Sequence, residues 1–269
     1  MRKGNLPGTW LALGFLVALA LVGPWLAPYD PKEVVARPFQ PPSAQHWLGT
    51  NDLGQDILSE LLTGGRISLV VGFSAAFIAL LLGLTIGLVA GYSTGWLGTA
   101  LMRLADLVLV IPFLPLAIVI AAYLGPSLWN LVLLIGLVSW ARPARVIRSV
   151  VLAVRGMTYV EATVALGASS LHIARFHLLP AVFPVAFAQL IALASSAILL
   201  ESSLSFLGLG DPTQKSWGSI LFYAQVRGSF LNGAWPWWAL PPGLLITSSV
   251  LALAALGRGL ERGSPRISP

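Results

Sequence analysis

Side chains able to carry nucleophilic, metal or acid-base chemistry are scarce in this sequence. Cysteine is absent, which excludes thiol nucleophiles, disulfides and cysteine-based zinc sites. The three histidines, His46, His172 and His177, form no H-E-x-x-H pair and are too few for a convincing metal site. No lysine follows a glycine, so a phosphate-binding G-x-x-x-x-G-K-[ST] loop is impossible. We therefore expect neither a metalloenzyme nor an ATPase, and no cofactor in this chain.

One carboxylate stands out because of its apolar surroundings. Glu201 follows a long apolar run that begins at Ala181, and an ionisable group inside a membrane usually faces a bundle interior or a wet cavity. Two interpretations remain open for it. Hydrogen bonds to the serines that follow would give Glu201 a structural role, whereas exposure to a wet cavity would place it on a translocation path.

The composition predicts that membrane helices position these residues. Of the 269 residues, 57% are hydrophobic and 10% are charged, compared with about 25% charged residues in soluble domains. The net charge of +6 could suggest nucleic acid, but the 16 basic residues form no cluster interleaved with aromatic residues. A lipid bilayer is therefore the expected surrounding, and nucleic acid is not an expected partner.

Six apolar segments are long enough to cross a bilayer, for which a helix needs about 20 residues. They cover residues 10–27, 67–90, 104–124, 128 to beyond 140, 181–207 and 238–256. The first resembles a signal peptide, but its apolar run is long and no A-x-A pattern follows, so we expect a membrane anchor. The fold class is therefore an all-α integral membrane protein with six transmembrane helices.

The distribution of basic residues predicts the orientation of these helices. With the N-terminus inside, eleven lysines and arginines are cytoplasmic and five are outside, as the positive-inside rule requires. Both termini are therefore expected in the cytoplasm, and the protein in the inner membrane of the cell.

Small residues and prolines mark special positions within two predicted spans. In the second span, Gly83, Gly87 and Gly91 recur every four residues, which lets another helix approach closely. The partner helix could belong to this chain or to a second subunit. Pro112 and Pro115 are expected to bend the third span, because proline lacks a backbone donor and crowds the preceding turn.

The longest predicted cytoplasmic loop lies between spans four and five and contains helix signals. Thr158 and Glu161 fit a capping box, which predicts the start of a helix, and Gly167 is the residue type that ends helices in a left-handed conformation. Ser169-Ser170 can cap a second short helix, which is expected to stop at Pro180. The pattern predicts a helix-turn-helix, and a structured loop of this length is usually functional.

Three blocks of this sequence resemble the permease subunits of ABC importers. Glu161-Ala162-Thr163, Gly167 and Leu179-Pro180 are similar to the E-A-A-x3-G-x9-I-x-L-P coupling loop of that family. Residues 46–56 and 65–69 resemble the segment before span two in dipeptide, oligopeptide and nickel permeases. Residues 201–210 and 216–218 resemble the late segment of the C-type subunit in the same group. The chain is therefore identified as similar to such a C-type subunit.

The resemblance implies a complex in which other subunits carry out the chemistry. A homologous B-type permease would pair with this chain, two cytoplasmic ABC ATPases would bind ATP and Mg, and an extracytoplasmic substrate-binding protein would deliver the cargo. The implied ATPase-coupling residues are Tyr159, Glu161, Ala162, Thr163, Gly167, Leu179 and Pro180, within a coupling loop over residues 145–180. Four residues depart from the family pattern, namely Thr163, His177, Gln55 and Glu60. Gln55 and Glu60 replace residues that are commonly arginine in this group.

Import of di- or oligopeptides is the function that the resemblance implies. Nickel and oligosaccharides remain open as cargo, because related permeases carry them and the binding protein largely selects the substrate. A membrane scaffold without transport activity and an intramembrane enzyme remain as alternatives of other classes. Along the chain, residues 1–65 are predicted to form an anchor helix and an extracytoplasmic loop, and residues 66–269 a core of five transmembrane helices.

Overall fold

The structure, a computed structural model, describes residues 6–93 and 95–263, and all regular secondary structure in these ranges is helical. The α-helices are α1 (Leu6–Leu26), α2 (Ile57–Tyr92), α3 (Trp96–Val110), α4 (Phe113–Leu124), α5 (Leu128–Val138), α6 (Ala141–Arg155), α7 (Thr158–Ala165), α8 (Ser170–Ile173), α9 (Leu179–Leu204), α10 (Trp217–Val226), α11 (Trp235–Trp238) and α12 (Leu240–Gly263). Two π-helical turns, Ala174–Leu178 and Ser205–Leu209, flank α9.

The C-terminal half of α2 packs against α6 through its repeated glycines. An added Cβ at Gly87 would lie 2.9 Å from the Cβ of Ile147, and one at Gly91 would lie 2.7 Å from the Cβ of Val151. Gly83 faces Pro143 in the same way. The predicted close helix approach is confirmed, and the glycines pack within this chain.

The N-terminal half of α2 uses glycine to contact α9 and α10. An added Cβ at Gly65 would lie 2.8 Å from the indole of Trp217, and Gly72 leaves room for Ile198. Both large side chains are fully buried, because the missing Cβ atoms allow the helix axes to approach. Helix α2 is therefore in contact with α6 along one half and with α9 and α10 along the other.

Several helices have the length and composition of membrane spans. Within the described ranges, three qualify directly, namely Ile57–Tyr92, Ser170–Leu209 and Trp235–Leu260. Two bent pairs, α3 with α4 and α5 with α6, raise the number to five if each pair is one span. The all-helical membrane fold is confirmed at this level, and the count of six spans stays a prediction.

The third predicted span is broken into two helices next to its first proline. Helix α3 ends at Val110 and α4 begins at Phe113, with an angle of 85° between them. Pro112 precedes α4 as its N-cap and Pro115 lies in the first turn, where a missing backbone donor breaks no helical hydrogen bond. The predicted bend is therefore a break with a steep change of direction.

The sequence pattern predicted that the second helix of the loop stops at Pro180, and this prediction is wrong. Helix α8, a π-helical turn and α9 are consecutive from Ser170 to Leu204, and Pro180 lies in the first turn of α9. In the π-helical turn, the amide of Leu179 donates to the carbonyl of Ala174. This wider turn directly before the proline lets the chain stay helical through a residue without an N–H group.

Candidate functional site

The predicted helix-turn-helix is present between α6 and α9. Helix α7 begins at Thr158 as expected, but Met157 is its N-cap and no side chain caps the helix. The predicted capping box between Thr158 and Glu161 is therefore wrong. Thr158 already occupies the first helical position, so its hydroxyl is not in the N-cap position that the motif requires.

The turn after α7 has the geometry that the sequence predicted. Gly167 has a φ of 83°, in the left-handed region that favours glycine, and its amide donates to the carbonyl of Val164 at 2.9 Å. The next helix begins at Ser170, where the Ser169 hydroxyl accepts a hydrogen bond from the His172 amide at 3.3 Å. The predictions for Gly167 and Ser169 are confirmed.

A buried row of apolar residues fixes this helix-turn-helix to the end of α6. Val160, Ile173 and Leu178 are almost fully buried and pack in one cluster with Val151 and Val154 of α6. Within the helix-turn-helix, the ring centroids of Tyr159 and His177 lie 5.7 Å apart, which joins its first helix to the π-helical turn. The two short helices therefore form one body with α6.

The opposite side of the helix-turn-helix exposes apolar and predicted coupling residues. Leu166 is 89% exposed, and Leu171 and Phe176 are also exposed. Of the predicted coupling residues, Thr163 is half-buried, and the exposed ones are Tyr159, Glu161, Ala162, Gly167, Leu179 and Pro180. Six of the seven predicted coupling residues are therefore exposed, and we name the exposed residues between 159 and 180 the loop surface. Contiguous exposed apolar residues mark a site for contact with another protein.

Sequence reasoning missed Leu166, Leu171 and Phe176 on this surface. Their signal was present, because each is a large apolar residue in a segment outside the predicted spans. Only the structure distinguishes them from Val160 and Ile173, which are apolar residues of the same segment but are buried.

Glu201 is surrounded by hydroxyl groups from three segments. It is 1% exposed and accepts hydrogen bonds from Ser205 at 2.7 Å, Ser68 at 3.1 Å and Ser202 at 3.4 Å. Ser68 in turn accepts from the amide of Trp217 at 3.1 Å. The expected bonds to the following serines are confirmed, and the cluster joins α2, α9 and α10.

A small cavity lies beside Glu201. Its volume is about 10 Å³, and its lining includes Glu201, Ser205, Asp211 and Ser216. That volume is close to the least that holds one water molecule, which needs several polar partners of the kind found here. A single water molecule in this cavity would lie beside the Glu201 carboxyl group. The role of Glu201 in a translocation path stays a prediction.

A second buried carboxylate lies at the N-terminal end of α2. The Glu60 side chain is 1% exposed and pairs with the ammonium group of Lys215, whose side chain is 27% exposed. Asn51 donates to both Glu60 and Gln55 at 2.9 Å, and Lys215 donates to Gln55 at 2.9 Å. We name this group the Glu60–Lys215 network. Gln55 and Glu60, two departures from the family pattern, thus bind the same lysine, which sequence reasoning had not connected with them.

Asp211 ties the segment before α10 to the start of α5. Its carboxylate accepts from the amide of Leu128 at 3.2 Å, the amide of Thr213 at 2.8 Å and the hydroxyl of Thr213 at 2.6 Å. Partial burial raises the pKa of Asp211, but these hydrogen bonds outweigh burial and lower its pKa below the usual 3.8. The segment that follows the Glu201 cluster is therefore attached to α5 by an ionised group.

Known proteins are similar to this chain over nearly all of its length. Residues 83–263 match the family described as "Binding-protein-dependent transport system inner membrane component". The di/tripeptide transport system permease protein DppC of Pseudomonas aeruginosa (strain UCBPP-PA14) is 40% identical, over 97% of this chain and 87% of its own length. The dipeptide transport system permease protein DppC of Bacillus subtilis (strain 168) is 34% identical, over 97% and 81%. The glutathione transport system permease protein GsiD of Escherichia coli O6:K15:H31 is 35% identical, over 91% and 81%.

Proposed function

The chain belongs to the family of binding-protein-dependent transport system inner membrane components, and from this premise we propose that it forms, with a second permease subunit, the path by which an ATP-driven importer carries di- or oligopeptides. The similar proteins are named for the transport of di/tripeptides, dipeptides and glutathione. Small peptides are the cargo that these names share, which favours peptides over nickel or oligosaccharides. The family also argues against a scaffold without transport activity.

The observation that carries the proposal is the exposed loop surface at the end of α6. Its apolar residues Leu166, Leu171 and Phe176 are exposed in the isolated chain and lie outside the predicted spans, and exposed apolar side chains of this kind mark a contact with another protein. A cytoplasmic ABC ATPase is the partner that the coupling-loop pattern implies. The full complex then has a B-type permease beside this chain, two ATPases that bind ATP and Mg, and an extracytoplasmic binding protein.

The charge distribution supports an orientation with the loop surface in the cytoplasm. Arginines gather at the C-terminal end of α2 and around α6, and they include Arg103, Arg145, Arg148 and Arg155. Basic residues favour the cytoplasmic side of a bilayer. Helix α1 finishes at the opposite end of α2, because an added Cβ at Gly23 would lie 2.9 Å from the carbonyl of Leu62. This arrangement supports a cytoplasmic N-terminus, although residues 1–5 and 264–269 themselves lie outside the described residues.

The chain contributes movement to transport, and the ATPases contribute the chemistry. Closure of the ATPases on ATP would displace α7, which is held to α6 by the buried row around Val160. A ligand shifts a protein between two states only through contacts that differ between those states. The coupling residues Tyr159, Glu161 and Gly167 would make such contacts, and Glu201 would lie beside the path whose access changes.

Substitution at the loop surface tests this function directly. Leu166→Asp places a charge on a side chain that is 89% exposed, so folding of the chain should be preserved. The matched control is Leu231→Asp, on a side chain that is 92% exposed between α10 and α11. Purification of the complex from cells should recover the ATPases with the native chain and the control but not with Leu166→Asp.

Uptake measurements in the same cells address the cargo. Cells that lack the gene are given the native chain or Leu166→Asp, and import of a labelled dipeptide is measured. We expect only the native chain to restore uptake. Retention of the ATPases and of full uptake by Leu166→Asp would contradict the docking argument. Retention of the ATPases without any gene-dependent peptide uptake would contradict the peptide assignment alone, and nickel and oligosaccharides would be assayed next.

A further inference from the structure

Helix α6 presents a regular ridge to α2. Pro143, Ile147 and Val151 recur every four residues and face the glycines of α2, which is the i±4 geometry of closely packed helices. Arg155 is the next residue in this series and the last residue of α6. The ridge therefore ends in a charged group beside the C-terminal end of α2.

Arg155 binds the terminal residue of α2 in two ways. Its Nη1 donates to the carbonyl oxygen of Tyr92 at 3.0 Å, and its guanidinium lies 5.7 Å from the centroid of the Tyr92 ring. About two turns earlier on α6, Nε of Arg148 donates to the carbonyl of Ala90 at 3.4 Å. The last carbonyls of a helix have no partner within it and carry its negative dipole end, so cationic donors stabilise this contact.

The same arginine lies directly before the loop surface. Only Gly156 and Met157 separate Arg155 from α7, and the amide of Met157 donates to the carbonyl of Val154 at 3.1 Å. Val154 and Val160 pack in one buried cluster across this short connection. A displacement of α7 is therefore passed to the end of α6 that Arg155 holds against α2.

The N-terminal half of α2 contacts both the Glu201 cluster and the Glu60–Lys215 network. It is one helix of 36 residues, which corresponds to about 54 Å at 1.5 Å per residue. Ser68 of α2 bonds Glu201, and Glu60 of α2 pairs with Lys215. Movement of α2 as a unit would thus reach both clusters.

We propose that Arg155 is a positioning residue that fixes α6 to the end of α2, so that displacement of the loop surface moves α2 and its two carboxylate clusters together. This inference rests on the proposed transport function, and it adds the route by which ATPase movement reaches the opposite end of the chain. It requires two helices that move as one rigid body, as packed elements do in domain motions. Loss of the Arg155 contact should then separate ATP hydrolysis from transport while leaving docking intact.

The test uses the complete complex of both permeases, the ATPases and the binding protein, reconstituted in lipid vesicles. Uptake of radiolabelled alanyl-alanine and hydrolysis of ATP are measured together for the native chain, Arg155→Gln and Arg155→Lys. We expect Arg155→Gln to lower the peptide carried per ATP by at least about threefold, within the range by which such couplings are modulated. Lysine keeps the charge but loses the planar guanidinium fork, so Arg155→Lys should give an intermediate ratio.

The control variant is Arg142→Gln. Arg142 is an exposed arginine of the same helix, and no hydrogen bond or ion pair involves it among the described residues that surround α6. Its substitution should leave the ratio unchanged. A merely structural role of Arg155 would lower uptake and hydrolysis in parallel at an unchanged ratio, and that outcome would overturn the proposal.

A distance measurement tests the rigid contact independently of transport. The chain has no native cysteine, so spin labels can be attached at Ser93→Cys after α2 and Ala153→Cys on α6. With native Arg155, we expect the label distance to stay the same with and without ATP, and with Arg155→Gln to broaden or change. An unchanged distance in Arg155→Gln would contradict the proposal that Arg155 fixes α6 to the end of α2. If no peptide is carried by the native complex, the proposed function fails, and this measurement still decides whether Arg155 joins the helices.

Discussion

Removal of the positive charge from the Glu60–Lys215 network should destabilise the protein strongly. Lys215→Met leaves the Glu60 carboxylate 1% exposed and without its ion-pair partner, although Asn51 still donates to it at 2.9 Å. Breaking a buried ion pair costs about 3–5 kcal/mol. Because Lys215 is 27% exposed and the Asn51 bond remains, we expect a loss of about 2–4 kcal/mol in the free energy of unfolding.

A double-mutant cycle separates two contributions to this loss of stability, the unpaired charge of Glu60 and the loss of the other contacts of Lys215. Glu60→Gln removes the carboxylate charge and keeps an oxygen that can accept from Asn51. Glu60→Gln combined with Lys215→Met should therefore be more stable than Lys215→Met alone, with a coupling energy of about 1–3 kcal/mol. The free energy of unfolding of the purified protein in mixed micelles, from denaturant titration, supplies the four values. Additive effects of the two substitutions would refute the idea that Glu60 depends on this lysine.

Two further predictions concern helix packing and pH. At Gly91, even an added Cβ would lie only 2.7 Å from Val151 of the facing helix. Gly91→Val should therefore lower the free energy of unfolding by about 1–3 kcal/mol, which is measured as a lower unfolding temperature. Gly243→Ala, where an added Cβ meets nothing within 4 Å, is its control. The pKa of Asp211 is lowered in the folded protein, so its stabilising effect is present above the unfolded value of 3.8 and is lost as pH falls through the folded value. Asp211→Asn should therefore reduce the drop in unfolding temperature between neutral pH and about pH 3; an equal drop in both proteins would argue against this assignment.

Local signals in the sequence predicted local structure well. The start of α7 at Thr158, the left-handed Gly167 and the Ser169 cap each depend on a few neighbouring residues. The glycine repeat of α2 also predicted a close helix contact, because small residues on one face have that consequence wherever the partner lies. The family pattern placed the coupling residues in one loop, and six of the seven are exposed in the structure; their coupling role stays a prediction.

Contacts between distant segments could not be predicted from the sequence. Lys215 lies 155 residues from Glu60 along the chain, and no periodicity links them. The end of the second loop helix was predicted wrongly because Pro180 is a local stop signal, whereas the preceding π-helical turn accommodates it. Capping by Thr158 failed through a shift of one residue, which is the usual uncertainty of helix boundaries.

The two contact faces of α2 must keep a fixed rotation about the helix axis relative to each other. Its N-terminal half must point Gly65 and Ser68 at α9 and α10, and its C-terminal half must point Gly91 at α6. A helix turns by about 100° per residue, so one residue inserted between Ser68 and Gly91 would rotate one set of contacts away from its partners. We therefore expect α2 to tolerate no single insertion or deletion between its two contact faces.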